Sequence, residues 1–197
     1  MKYYKEYIKE HHTLFMISFI LWICAVFMGI YISFTSDAAL SESIREYISS
    51  SLSSQNGFLS VFKNGVITNF KYSMALIISA MSVIFMPFTL FLIAFKGFSA
   101  GFTSMFLIRL YGISGLGTSL TAVVIPLFFS LPLLFMMFVS SLYTPIYTFK
   151  KKSEISAEEK WKIQFSYIIK IFMLFLLLCL VTVFEALVSP VCFSVIK

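Results

Sequence analysis

The chain has 197 residues, of which 59% are hydrophobic and 12% are charged, and its formal net charge is +6. A soluble domain carries about 25% charged residues, so this composition excludes an ordinary soluble domain and indicates an integral membrane protein. The length suits a single all-α membrane domain over residues 1–197, without space for a further soluble domain of typical size. Most basic residues flank apolar runs, so the positive charge predicts orientation in the membrane and contact with membrane lipid, and not nucleic-acid binding.

The N-terminal part predicts a first membrane span that leads the chain outward. Residues 1–12 are polar and basic, and residues 13–34 contain no charged side chain. This run is longer than the core of a secretory signal, so it is predicted to remain as an uncleaved span. Lysines precede it and Asp37 follows it. The N-terminus is therefore placed inside.

The longest polar region on the outer side, residues 35–71, predicts an extracytoplasmic loop between the first two spans. Apolar residues recur there at helical spacing, which predicts two short amphipathic helices lying at the outer membrane surface. The second of them carries a stripe of four apolar residues: Phe58, Phe62, Val66 and Phe70. Two interpretations stay open, since the helices either cover the ends of the spans or form a docking surface for an extracytoplasmic partner.

The distribution of basic residues predicts four further spans, over residues 72–95, 97–113, 120–143 and 165–187. The first of these returns the chain to the inside at Lys96, with a kink at Pro87. Lys150, Lys151 and Lys152 form the strongest basic cluster, so the loop 144–164 is placed in the cytoplasm. The short run 97–113 must then cross the membrane, with a re-entrant loop as the alternative. The prediction is five spans, with the N-terminus inside and the C-terminus outside.

Small residues in the middle of the chain predict close packing of helices. Gly97 and Gly101 lie one helical turn apart on one face, where a neighbouring backbone can approach closely. Packing within the chain is one interpretation, and homodimerisation or binding of a partner's helix is the other. Further along, Pro126 and Pro132 predict a bend or break in the fourth span.

Three ionisable residues lie within the predicted spans: Lys170, Arg109 and Glu185. A charged group inside a membrane is costly, so it usually pairs, faces the bundle interior or reaches the surface. Lys170 and Arg109 lie near span ends, where a long cation can reach the interface. Glu185 lies deeper, with Arg109 as a candidate partner. Structural pairing, contact with a partner and ion transport all stay open for Glu185.

The sequence predicts no enzyme. It contains no H-E-x-x-H or P-loop motif, and its two histidines, His11 and His12, lie in the N-terminal lead-in. The three cysteines have no C-x-x-C or Cys/His spacing. No catalytic residue, metal site or cofactor site is therefore predicted.

Three passages resemble the stage II sporulation protein M family of endospore-forming bacteria. The passage that begins with Phe95 and Lys96 is similar to that family's F-K-G-x-x-x-G-F-T segment. The passage from Phe184 to Pro190 is similar to its terminal F-E-A-x-x-S-P segment. A third passage, Asn69-Phe70-Lys71, is similar to an N-x-K passage of the family. Many relatives have polar groups between the two prolines of the fourth span, often in a Pro-Gln-Asn or Pro-His-like passage, and this chain keeps the prolines without those groups.

The resemblance implies a non-enzymatic membrane scaffold of sporulation. Such a scaffold would recruit two peptidoglycan-degrading partners, stage II sporulation proteins D and P, to the septum during forespore engulfment. It would be a multi-pass protein of the cell membrane, located in the septal membrane during sporulation. The alternatives are a small permease or permease-associated subunit, or a structural membrane protein of the wider family unrelated to sporulation. A permease predicts polar groups around a mid-membrane cavity, with Glu185 at its lumen.

Overall fold

A computed structural model describes residues 11–36, 42–43, 58–150 and 156–194, and five long helices account for most of them. The helices are α1 His12–Thr35, α2 Phe58–Ser79, α3 Met86–Ser119, α4 Ile125–Lys150 and α5 Ala157–Ser194. A 3-10 turn, Val83–Phe85, precedes α3, and a π-helical segment, Leu120–Val124, joins α3 to α4. The predicted all-α class is confirmed over the described residues. The first predicted amphipathic helix of the outer loop lies largely outside them.

The connection between α2 and α3 differs from the prediction. The predicted second span, 72–95, is not one helix, because α2 ends at Ser79 and α3 begins at Met86. In between, the Ser82 hydroxyl accepts a hydrogen bond from the backbone N–H of Ile84 at 3.4 Å. Pro87 lies in the first turn of α3, where its missing N–H leaves no hydrogen bond unmade. The proline therefore starts a helix instead of kinking one.

This shift places residues 95–102 in the middle of a helix and not between two helices. The predicted boundary between a second and a third span at Lys96 is wrong, since α3 continues through it. The predicted span 97–113 is the second half of that helix. The short amphipathic helix predicted before residue 71 is also wrong, because α2 runs without interruption from Phe58 to Ser79.

The chain reverses direction at Gly112, inside the nominal bounds of α3. Gly112 has a φ of 60°, in the left-handed region that glycine adopts without strain. Three residues later, Gly115 packs directly on the carbonyl of Leu107, which brings the returning chain against α3. The bend predicted at Pro126 takes the form of the π-helical segment just before it, and α4 continues through Pro132 and Pro145.

Helices α1, α3 and α5 run in one direction, and α2 and α4 run in the other. The order of contacting residues along each pair of helices shows this. The pairs are Trp22–Gly97 and Val26–Gly101 for α1 and α3, Asn69–Thr182 and Leu76–Tyr167 for α2 and α5, and His11–Tyr143 and Trp22–Phe135 for α1 and α4. Between α4 and α5, Phe129 packs on Phe184, while Thr144 and Ser166 share a cavity.

The core lies where α2, α3, α4 and α5 meet. Its almost fully buried apolar side chains include Leu76, Ile93, Met137, Phe138 and Ile171. The outer surfaces of the helices expose many aromatic and aliphatic side chains instead. Lipid is as apolar as these side chains, so such a surface is ordinary for a protein in a bilayer.

Three segments of the described chain are long and apolar enough to cross a membrane: His12–Thr35, Val83–Phe149 and Glu158–Leu187. The second contains two antiparallel stretches that meet at Gly112. Helix α2 is not among them, since polar residues such as Lys63 and Lys71 lower its hydropathy. The chain is thus a membrane protein by its apolar helices, while five crossings and their orientation stay predictions.

Candidate functional site

Helices α1 and α3 are in backbone contact through glycines. A Cβ atom added at Gly97 would lie 2.6 Å from the carbonyl oxygen of Trp22, and one added at Gly101 would overlap the carbonyl of Val26. From the other side, Gly29 lies against the backbone of Phe98. The predicted packing role of Gly97 and Gly101 therefore operates within the chain. This contact fixes the rotation of α3 about its own axis.

That rotation turns Lys96 toward α2. Its Nζ atom lies 5.1 Å from the centre of the Tyr72 ring, a distance at which a cation is attracted to an aromatic face. The half-buried Glu185 of α5 interacts electrostatically with the same ammonium group. An attraction between opposite charges is much stronger in apolar surroundings than in water. Lys96, Tyr72 and Glu185 thus connect three helices.

A hydrogen bond between α2 and α5 extends this group. The Asn69 side-chain amide donates to the Thr182 hydroxyl at 2.9 Å, and Thr182 donates to the carbonyl of Leu178 at 2.9 Å. Gly65 permits the close approach, since a Cβ atom there would meet the Thr182 methyl group. The interior polar cluster is defined here as Asn69, Tyr72, Lys96, Thr182 and Glu185.

The interior polar cluster gathers the three sequence passages that carry the family resemblance. Asn69 comes from the first passage along the chain, Lys96 from the second and Glu185 from the third. Tyr72 and Thr182 were missed by sequence reasoning. Each lies three residues from a singled-out polar residue, so the helical spacing to Asn69 and Glu185 was a signal that could have found them.

Arg109 is not the partner of Glu185, contrary to the prediction. Its guanidinium donates to the backbone carbonyl of Ser33 and to the Ser36 hydroxyl, the latter at 2.8 Å, at the C-terminal end of α1. A cation there complements the negative end of the helix dipole. The prediction failed because the helix that was predicted to begin at residue 97 begins eleven residues earlier, at Met86, and contains Lys96. Lys96 is therefore half-buried on the side of α3 that faces α2 and takes the place predicted for Arg109.

A second polar group closes the end of α2. The Leu76 carbonyl accepts hydrogen bonds from the Ser141 hydroxyl at 3.1 Å and from the Tyr167 hydroxyl at 3.0 Å. The Ser79 hydroxyl lies 2.9 Å from that of Ser141 and accepts from Thr89 at 2.8 Å. Buried polar groups at a helix end need such partners in a membrane protein. This hydroxyl network joins α2, α3, α4 and α5.

Lys170 lies in a different place from the interior polar cluster. It lines a cavity of about 240 Å³ between α4 and α5, together with His11, Tyr143, Tyr167 and Ser166. The cavity lies at the end of the bundle where α2 stops, which agrees with the predicted shallow position of Lys170. Glu185 does not line this cavity.

The apolar stripe predicted for partner binding is distributed along α2. Phe58 and Phe62 stack on each other with ring centres 6.0 Å apart, and Phe70 packs edge-on against Phe175 of α5 at 5.9 Å. Val66 is half-buried. Phe70 thus contributes to packing within the bundle. Partner binding by this stripe stays a prediction.

The other residues of the three family-like passages lie at the surface of the bundle, or their side chains are not described by the structure. Phe95 is exposed and stacks on Phe91 at 6.0 Å, and Phe184 packs edge-on against Phe129 at 5.9 Å. Lys71 is exposed on α2. Pro190 lies within the bounds of α5, and its side chain is outside the described part.

Residues 97–101 also match the letters of the G-x-S-x-G nucleophile motif. That motif works on a sharp turn between a strand and a helix, which exposes the serine. Here the five residues lie in the middle of α3, and both glycines face the backbone of α1. The spacing therefore serves helix packing and places no nucleophile on a turn.

A family model described as stage II sporulation protein M matches residues 18–190. The matched part contains all three passages singled out from the sequence and the whole interior polar cluster. No curated protein and no solved structure gives a match.

Proposed function

The chain belongs to the stage II sporulation protein M family, and on that basis we propose that it is a membrane scaffold without enzymatic activity. It would recruit and position peptidoglycan-degrading proteins at the septum while the forespore is engulfed, and stage II sporulation proteins D and P are the proposed partners. The family match over residues 18–190 is the observation that carries this proposal.

The packing of the bundle supports a positioning role. A scaffold must hold its contact surfaces in a fixed relation, because loose helices would lose the advantage of bringing partners together. The glycine contact between α1 and α3 leaves no space for either helix to rotate. The hydroxyl network and the interior polar cluster connect α2 to α3, α4 and α5 by directional contacts.

The interior polar cluster would act in this scaffold by orienting α2. That helix leads directly from the predicted outer loop, where peptidoglycan-degrading partners would be reached. Asn69 and Tyr72 hold it to α5 and α3, and Lys96 and Glu185 connect those two helices across the interior. The permease alternative requires Glu185 at a lumen, and Glu185 is not among the described residues that line the cavity between α4 and α5.

The test is deletion of the gene in its own cell, followed by complementation with the full chain. Engulfment is followed by membrane-dye microscopy, and capture of each tagged hydrolase is measured by co-purification from solubilised membranes. We expect arrest at the septum, restored by the wild-type chain together with hydrolase capture. Engulfment that proceeds normally after deletion would overturn the proposal. Restored engulfment by a chain that captures neither hydrolase would refute recruitment as the mechanism.

A further inference from the structure

Helix α2 carries an exposed polar face that the interior polar cluster does not use. Lys63, Asn64, Thr68 and Lys71 are all exposed. At 3.6 residues per turn, they fall within an arc of about 140° around the helix. These four residues are called the α2 polar face below.

The α2 polar face lies at the depth of an apolar part of α5. Phe70 packs on Phe175, so its neighbour Lys71 is level with residues 171–184, a run without a charged side chain. About 12 Å of helical rise separates Lys71 from the end of α2 at Ser79, and about 20 Å separates it from Phe58. Lys71 is therefore far from both ends of its helix.

Nothing in the described part of the chain neutralises these cations. Neither Lys63 nor Lys71 forms an ion pair or a hydrogen bond with a described residue. The helix cannot turn them inward, because its opposite side holds Gly65 and Asn69 against Thr182. A cation within a membrane normally pairs with an opposite charge or faces water, and rarely faces lipid. Residues 171–184 belong to a segment apolar enough to cross a membrane, so at their depth the α2 polar face would have to be covered.

The positive charge of the α2 polar face determines which binding partner fits it. Two copies of the chain in one membrane would pair this face with itself about a two-fold axis. Lys63 and Lys71 would then meet lysines, and like charges at that depth repel strongly. A helix of another protein that carries a carboxylate would neutralise Lys71 instead. Beyond Lys71, the same side of α2 exposes Met74 and Ile78, which fit an apolar continuation of that helix.

We propose that the α2 polar face binds a membrane-spanning helix of a different protein, with an Asp or Glu side chain placed at the depth of Lys71. Thr68, one turn before Lys71, supplies a hydrogen bond to that carboxylate, and Asn64, a further turn away on the same face, supplies one to the next turn of the partner helix. The inference rests on the proposed function and deepens it, because it gives the chemistry by which the scaffold recognises the anchor helix of a recruited protein.

The experiment uses the full chain reconstituted in phosphatidylcholine vesicles with two synthetic leucine-rich membrane peptides. The peptides differ at one mid-span position, which is Asp in one and Leu in the other. A photoreactive benzoylphenylalanine replaces Ile67, an exposed residue within the same arc of α2, and the cross-linked products are identified by mass spectrometry. We expect the Asp peptide to cross-link at about tenfold lower concentration than the Leu peptide, which corresponds to about 1.4 kcal/mol of binding free energy.

Matched variants locate the contact. Lys71→Met should abolish the difference between the peptides, Lys71→Arg should keep it, and Lys160→Met, at an exposed lysine near the start of α5, should leave it unchanged. Unchanged elution in size-exclusion chromatography and unchanged helicity show that each variant is folded. Equal cross-linking of the two peptides, or a preference that survives Lys71→Met, would overturn the proposal. Cross-links to a second copy or to residues 37–57 of the same chain would also overturn it.

The two proposals can fail separately. If deletion of the gene arrests engulfment while cells with Lys71→Met engulf normally, the docking surface is wrong and the scaffold stands. If deletion leaves engulfment normal while the Asp peptide still binds through Lys71, the scaffold is wrong and the docking surface stands.

Discussion

Replacing Gly97 by alanine tests whether the contact between α1 and α3 determines the stability of the bundle. The added Cβ atom would lie 2.6 Å from the Trp22 carbonyl oxygen and 3.3 Å from the Ala25 Cβ atom. Ordinary van der Waals contact begins at 3.4 Å, so the closer of these distances is 0.8 Å too short. The nearest atom is backbone, which cannot move aside as a flexible side chain can. The helices must therefore separate.

A separation of this size has a calculable effect. A gap of about 0.5–1 Å loses about a quarter to a half of the dispersion attraction between the surfaces involved. Overpacked sites lose about 1–3 kcal/mol in general, while alanine in a helix gains up to about 1 kcal/mol over glycine. We expect Gly97→Ala to lower the free energy of unfolding by about 1–2 kcal/mol.

The measurement is unfolding of the purified full chain in mixed micelles by sodium dodecyl sulfate, followed by circular dichroism. Gly117→Ala is the matched control, because an added Cβ atom there meets nothing within 4 Å and its φ is not positive. The control should be neutral or slightly stabilising. If Gly97→Ala unfolds at the same detergent fraction as Gly117→Ala, the backbone contact does not limit stability and the reasoning fails.

Three further tests address the polar contacts. Asn69→Leu and Thr182→Val, alone and combined, should give a coupling energy of about 0.6–1.7 kcal/mol in a double-mutant cycle; additive effects would contradict their hydrogen bond. Ser141→Ala should destabilise by about 0.5–1.5 kcal/mol, because it removes buried hydrogen bonds to Leu76 and Ser79 while both keep their other partners. Ser130 bonds only within its own helix, so Ser130→Ala should change little. Arg109→Met should cost about 0.3–1 kcal/mol, and a loss unaffected by salt would argue against its interaction with the end of α1.

The sequence alone predicts α1 well. Its predicted bounds, 13–34, differ from His12–Thr35 by one residue at each end, because an uncharged run flanked by polar residues marks both ends. The packing of Gly97 and Gly101 was also predictable, since small residues one turn apart have few uses in an apolar helix. In both cases the signal is local, so the tertiary structure does not need to be known.

The boundary between α2 and α3 was not predictable from charge. Residues 72–95 contain no charged side chain, and the 3-10 turn within them is as apolar as the helices on either side. The break depends on Ser82, which caps the turn, and on Pro87, which starts a helix as readily as it kinks one. Local sequence does not distinguish these two roles of proline. The distribution of lysines does not reveal the error. Moving both helix boundaries along the chain leaves the number of chain reversals unchanged, so the Lys-rich loop stays on the same predicted side.

The partner of Glu185 depended on that same boundary. Placing Lys96 at a helix end assigned it to the membrane surface, so Arg109 was the cation left for Glu185. With α3 starting at Met86, Lys96 lies about 15 Å of helical rise inside the helix. A single error in one turn therefore changed the predicted pairing of a residue almost one hundred positions away. Ionisable residues in membrane helices can be paired reliably only once helix starts are known.

Adjacent residues of α3 contact different helices, and this explains how the attraction between Lys96 and Glu185 is useful in a scaffold. Gly97 faces α1, and Lys96, about 100° away around the helix, faces α2 and α5. Glycine contacts alone would allow α3 to slide by one turn, since Gly97 and Gly101 present similar surfaces. The attraction between Lys96 and Glu185 disfavours that shift, because sliding by one turn would move the ammonium group away from the carboxylate and from the Tyr72 ring. Such an attraction between half-buried charges adds little net stability in general. Its contribution here is to select one register of α3 and thereby the position in which α2 presents its exposed face.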